Sequence, residues 1–241
     1  VPQTRSEQKE SEQRESGQTE SGARESRQTE SGPRTGSGPG TVEDVSLLVV
    51  DDFYADFAKA RAAALRCSFT PRTDSAFAYR TAPAPAWMEK EALSRLVGIL
   101  GASCRDELIA NHLHMSSEMD WKVNLHRGAR VHVDEARWAG VVYLNTAEQC
   151  RGGTSLYAHR RTGVRHFFEL RDRPDREAIL ADGGDIDQWR ELVSLTMVPN
   201  RLVLFDPGQF HQAHHYFGDS KSTARLIHNF FFRHVAAFPL R

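Results

Sequence analysis

Val131-His132-Val133-Asp134, followed by the apolar run Trp138-Ala139-Gly140-Val141-Val142-Tyr143-Leu144-Asn145, is the stretch around which the chain is organised. Read as a strand, the first segment places His132 and Asp134 on one face, because side chains at i and i+2 of extended backbone point the same way. One imidazole and one carboxylate supply part of the shell of a divalent ion. A second imidazole from a distant strand would complete a three-ligand face with open positions opposite it. The triplet carries little alone: 11 His and 15 Asp in 241 residues give about 0.7 His-x-Asp triplets by chance. Its surroundings decide whether it is a site.

Outward from this stretch the chain divides by composition. Residues 1–42 contain no aromatic residue and no Leu, Ile or Met, too little apolar surface to offset the entropy of ordering. Glu15 to Arg24 (ESGQTESGAR) recurs as Glu25 to Arg34 (ESRQTESGPR), a repeat far shorter than a solenoid unit. A disordered low-complexity tail is expected over 1–42 and a folded domain over 43–241. The domain keeps 25 of the 31 Lys/Arg and 25 of the 32 Asp/Glu, a balance that offers neither nucleic acid nor a charged membrane a partner surface. A small-molecule or peptide substrate suits it. No apolar run nears the roughly 20 residues of a membrane span, and the N-terminus lacks the apolar centre of a signal peptide, so a cytoplasmic location is expected. Cys67, Cys104 and Cys150 lie far apart, with neither disulfide nor zinc spacing, and read as reduced core residues.

Taken in order, residues 44–50 read as a strand, and Asp51-Asp52 as the N-cap of a helix over 54–66. The Pro-rich stretch 69–85 reads as loop, and 87–101 as a second helix. From Leu108 the pattern turns to short strands over 108–115, 121–125, 130–133, 140–144 and 154–159. A mixed insertion over 171–191 precedes strands over 192–198, 201–205 and 226–234. Short strands at regular spacing, with helices confined to the N-terminal side, predict a mainly β jelly roll with one helix-covered face.

The second imidazole has several candidates. His211 follows the strand and Pro-Gly turn of Arg201-Leu202-Val203-Leu204-Phe205-Asp206-Pro207-Gly208-Gln209-Phe210; His214, His215, His228 and His234 are its rivals. Gly152-Gly153 marks a strand entry rather than a phosphate loop, since no Lys-Ser or Lys-Thr follows. Trp138, Tyr157, His159 and Arg160 follow closely on the candidate strands and are assigned to the substrate entrance.

The series HVD, VVYLN, GGTSLY, NRLVLFDPGQFH and then RL with NFFF resembles the Fe(II)/2-oxoglutarate-dependent oxygenases, in the branch that includes prolyl 4-hydroxylases, over roughly residues 44–233. The resemblance implies a double-stranded β-helix of the jelly-roll or cupin-like kind and iron ligands at His132, Asp134 and His211. It also implies 2-oxoglutarate and O2 as co-substrates. Arg225 takes the place of the basic residue that pairs with the distal carboxylate of 2-oxoglutarate, a planar fork suited to bidentate binding, and Tyr143 that of a second contact. His211 and Arg225 stand 14 positions apart, longer than the family's spacing, so residues 218–223 are expected to form an extra loop; counted back from Arg225, His214 and His215 fit the short spacing better. The implied activity is hydroxylation of an amino acid or peptide substrate with release of succinate and CO2, and Asp134 argues against halogenation. The alternatives are a non-catalytic cupin-like metal-binding or sensor protein and a metal-dependent isomerase or hydrolase on the same barrel.

Overall fold

The computed structural model describes residues 47–73 and 75–233; the expected tail over 1–42 and the candidate His234 lie outside them. The elements run β1 (Leu47–Val50), α1 (Phe57–Arg66), β2 (Thr70–Pro71), β3 (Arg80–Pro83), α2 (Ala86–Leu100), α3 (Cys104–Glu107), β4 (Leu108–Ser116), α4 (Glu118–His126), β5 (Trp138–Tyr143), β6 (Gly153–His159), α5 (Arg176–Ala181), β7 (Trp189–Thr196), β8 (Leu202–Phe205), β9 (His211–Ala213) and β10 (Arg225–Phe232). One sheet has the order β1-β8-β5-β10-β4-β3-β2 and the other β7-β6-β9. Neighbouring strands are antiparallel throughout. The architecture is a double-stranded β-helix.

Period-two alternation sorts the side chains of the large sheet. On β5 and β10, Trp138, Val142, Leu226, Phe230 and Phe232 face outward and are buried with Ala60, Ala64, Met88 and Leu96 of α1 and α2. Ala139, Val141, Tyr143 and Ile227 face inward, against Leu156 of the small sheet. Two helices thus cover one face of the large sheet and the small sheet covers the other. Gly153 opens β6 where a Cβ would lie 1.8 Å from the Leu195 carbonyl oxygen, so only glycine lets the strands approach there. No helix among the described residues is long and apolar enough to cross a membrane.

Several expected elements differ. Residues 121–125 belong to α4, not to a strand. Ser117 caps the helix: its hydroxyl accepts from the Asp120 amide at 3.4 Å, while the Asp120 carboxylate accepts from the Ser117 amide at 2.8 Å. Leu125 is exposed and Trp121 and Val123 are half-buried, Trp121 packing from the helix on His215 and Tyr216, and the local capping box decides. The expected loop 69–85 contains β2 and β3, whose Pro71 and Pro83 sit at strand ends where a missing N–H is tolerated. Asp56, not Asp51 or Asp52, caps α1, accepting from the Lys59 amide at 2.9 Å. Residues 130–133 form no strand but a single bridge, His132 to His211.

Trp138 is 1% exposed in the outward core, which removes it from the substrate entrance assigned to it above. Trp138→Ala should therefore lower stability by about 3–5 kcal/mol in urea denaturation and leave metal affinity unchanged; a stable variant would return the residue to the entrance.

Candidate metal centre

His132 and His211 are tied to each other through the backbone: the His132 amide donates to the His211 carbonyl at 3.0 Å and the His211 amide to the His132 carbonyl at 2.9 Å. The Asp134 amide donates to the Pro207 carbonyl at 2.9 Å, so the turn after β8 fixes the third side chain. The ligand atoms of His132, Asp134 and His211 all lie within 4.8 Å of one another, and this is the one such group among the described residues. His132 Nε2 is 4.0 Å and His211 Nε2 3.4 Å from Asp134 Oδ2.

The imidazole tautomers are set by what lies behind the rings. His132 Nδ1 lies 2.9 Å from the Arg130 carbonyl oxygen, and His211 Nδ1 2.8 Å from that of Gln209. A carbonyl only accepts, so each Nδ1 carries the proton and each Nε2 presents a lone pair to the centre. Burial, and then His211, push His132 down to about 4 against the pull of Asp134. Burial alone would raise the Asp134 carboxyl, but the contact with His211 and the imidazoles of His132 and His114 outweigh it and hold it at about 2. Asp134 is thus ionised and His132 neutral near neutral pH, as metal ligands must be.

The triad opens into a cavity of about 360 Å³ between the two sheets. Arg225, the first residue of β10, lines the same cavity and is 4% exposed. The guanidinium carbon lies 5.7 Å from the Tyr143 ring and 5.8 Å from the Tyr216 ring. Tyr143 lies behind the cavity wall, its hydroxyl 3.0 Å from Thr154 Oγ1, and Thr154 lines the wall.

The rival histidines are placed elsewhere. His214 Nε2 lies 2.5 Å from Ser155 Oγ and 3.2 Å from a Glu191 carboxylate oxygen. The His215 ring packs 5.9 Å from Trp121. His228 is buried between Tyr54 and Asn111 in the outward core. The expected extra loop is present, and Gly218 in it has φ +75 with a Cβ position 2.3 Å from Thr223 backbone, which accounts for the long spacing to Arg225.

Of the other residues assigned to the entrance, Tyr157 packs with Val131, Val164 and Trp189 away from the cavity. His159 is fully buried between Thr162 and Asp182, and Arg160 is exposed. None of the three lines the cavity. Sequence reasoning missed His112, His114, Asn229 and Tyr216, which do line it. The alternation of Ala110, His112 and His114 along β4 was the available signal.

Residues 39–232 match a family described as a family of unknown function, DUF6445. The chain belongs to that family. No curated protein matches the sequence. Among solved structures, this DUF6445 member is similar to HygX from Streptomyces hygroscopicus with nickel and 2-oxoglutarate bound, at 9% identity, covering 77% of this chain and 81% of that one, with a TM-score of 0.46. It is also similar to the non-heme alpha ketoglutarate dependent carbocyclase SnoK from nogalamycin biosynthesis, at 13% identity, 78% and 79% coverage and a TM-score of 0.44. A 2OG-Fe(II) oxygenase family oxidoreductase from Burkholderia pseudomallei is similar at 11% identity, 81% and 89% coverage and a TM-score of 0.43. The DUF6445 match assigns no activity, so function is argued from the site itself.

The buried histidines give the metal-free protein a defined acid sensitivity. His132 is held at about 4 and His228, by burial and then His112, at about 3; both titrate near 6.5 when unfolded. Between these values the unfolded chain binds more protons than the folded one, so stability rises with pH through this window and falls as pH drops from about 6.5 toward 4. Urea midpoints of metal-free protein at pH 5 and pH 7 should show the lower value at pH 5; equal midpoints would mean these rings are not held neutral.

Proposed function

We propose that the chain is an Fe(II)- and 2-oxoglutarate-dependent dioxygenase, in the prolyl 4-hydroxylase-like branch its motifs resemble, which hydroxylates an unactivated C–H bond of an amino acid or peptide substrate. The observation that carries this reading is Arg225. Its guanidinium is buried, its Nε has no hydrogen-bond partner and no carboxylate pairs with it among the described residues, and it shares a cavity with the His-Asp-His group. A buried cation without an anion is costly. A carboxylate ligand removes that cost, and a guanidinium binds it through two parallel N–H bonds. A dicarboxylate can place one end on Arg225 and turn the other toward the metal face; a cavity that served the metal alone would have no use for the arginine.

The donor set fits iron: two imidazole Nε2 atoms and one carboxylate oxygen converge from one side and leave the other open. Bound ferrous ion and 2-oxoglutarate supply oxidation of a C–H bond by O2, with succinate and CO2 released. The chain's own residues orient and exclude. The Arg130 and Gln209 carbonyls hold the ligand tautomers, Phe77 packs 4.4 Å from His132 and Phe205 4.9 Å from His211, and Tyr143 with Thr154 adds a neutral hydrogen bond beside Arg225. Because Asp134 keeps its carboxylate at the centre, the position a halide would need is filled, which supports hydroxylation.

Purified protein given Fe(II), 2-oxoglutarate and O2 should form succinate, and should stop when O2 is withdrawn or when Asp134 is replaced by Ala. Arg225→Gln should raise the KM for 2-oxoglutarate by about 30-fold or more, the loss expected when one partner of a buried charged pair is truncated, with Fe(II) affinity retained. His211→Ala should lose Fe(II) affinity and His214→Ala should keep it. Turnover that continues without O2, or that zinc supports, would point instead to a hydrolase or isomerase.

A further inference from the structure

The metal cavity holds a second pair of imidazoles that the triad does not use. His112 and His114 project into it from β4, their Nε2 atoms 3.0 Å apart, and the His114 ring packs at a tilt with its centroid 4.2 Å from that of Tyr79. Across the strand pair, Asn229 of β10 is the direct partner of His112 and lines the same cavity. Asn229 is 6% exposed, and its side-chain oxygen has no hydrogen-bond partner among the described residues. A buried amide with an open acceptor in a cavity wall is costly unless a ligand donates to it.

We propose that Asn229, His112 and His114 form the substrate-anchoring subsite, and that it takes a neutral group which both donates and accepts hydrogen bonds, the amide of a peptide or of an amidated small molecule. The inference rests on the dioxygenase reading for what the neighbouring metal does, and on the cavity wall for what binds. Asn229 offers an acceptor. In the free protein one Nε2–H donates to the facing Nε2 and both rings are uncharged; a bound amide replaces that bond, its carbonyl accepting from the protonated Nε2 while its N–H donates to the Asn229 oxygen. Asp134 is the one carboxylate lining the cavity among the described residues, and its charge is committed to the metal face, so a substrate ammonium would find no partner. Two cations also line the cavity: Arg225 is committed in the same way to the co-substrate, and Arg72 is exposed, so its charge stays hydrated rather than buried with a ligand. A charged substrate head at Asn229 would be buried against neutral groups, whereas an amide matches acceptor to donor at both ends.

The test uses the full chain loaded with Zn(II) and 2-oxoglutarate, which reads binding without turnover, and three probes on the same phenyl ring, one neutral, one anionic and one cationic: benzamide, benzoate and benzylamine. Benzamide should bind at least tenfold more tightly than the other two. Asn229→Ala and His112→Ala should each weaken benzamide binding tenfold or more, and Asn229→Asp should reverse the preference toward benzylamine by placing a carboxylate in the wall. Zinc and 2-oxoglutarate titrations on each variant report whether the protein has folded and whether the metal and co-substrate reading holds, so a failure there is distinguishable from a failure of the subsite. Tighter binding of benzoate or benzylamine, no preference among the three, or unchanged benzamide binding in a folded Asn229→Ala protein would overturn the proposal.

Discussion

The site depends on two backbone hydrogen bonds exchanged between His132 and His211. They are the single β-bridge of a segment that otherwise pairs with nothing as a strand, and they join residues 79 positions apart in the sequence. With the peptide planes fixed, the two rings lie with centroids 4.4 Å apart. The Arg130 and Gln209 carbonyls, each two residues before its histidine, then fix the protonated nitrogen on both. Two imidazoles whose tautomers are fixed in this way need no rearrangement on meeting a metal, which is the physical meaning of a preorganised centre.

Everything else in the fold serves to place that bridge and the arginine opposite it. The large sheet carries Arg225 on β10 and the small sheet carries His211 on β9; their inward faces meet through Val141, Ile227 and Leu156. The helices bury the outward face of the large sheet around Trp138, Phe230 and Phe232, so the inward face stays free for function. Polar residues on that inward face are therefore conspicuous: burying Asn229 or Arg225 opposes folding, and a ligand that pairs with them recovers the loss.

Much of this was legible in the sequence, and the reasons differ by residue. The alternation of β5, β8 and β10 gave strands because both faces of the large sheet are buried, and the order of motifs placed His132, Asp134, His211 and Arg225 in a way the cavity brings together. Three kinds of signal misled. Apolar residues in strand-like alternation, as at Trp121, Val123 and Leu125, gave way to a capping box. Prolines at 71 and 83 hid strand ends. Proximity in sequence to the metal strands put Trp138, Tyr157 and His159 at the entrance, although the alternation that points Ala139 and Val141 inward points Trp138 outward. Asn229 was invisible for a different reason: its meaning lies in the pairing of β10 with β4, which sets it beside His112 and which no local pattern contains.

The central claim is that Arg225 and the His-Asp-His face bind the two ends of one molecule. The most direct measurement is an anaerobic calorimetric titration of 2-oxoglutarate into the protein with and without Fe(II). The account predicts binding that is strong with the metal and falls at least tenfold without it, because both ends are then required. Binding of equal strength in the two samples, or none in either, would contradict it.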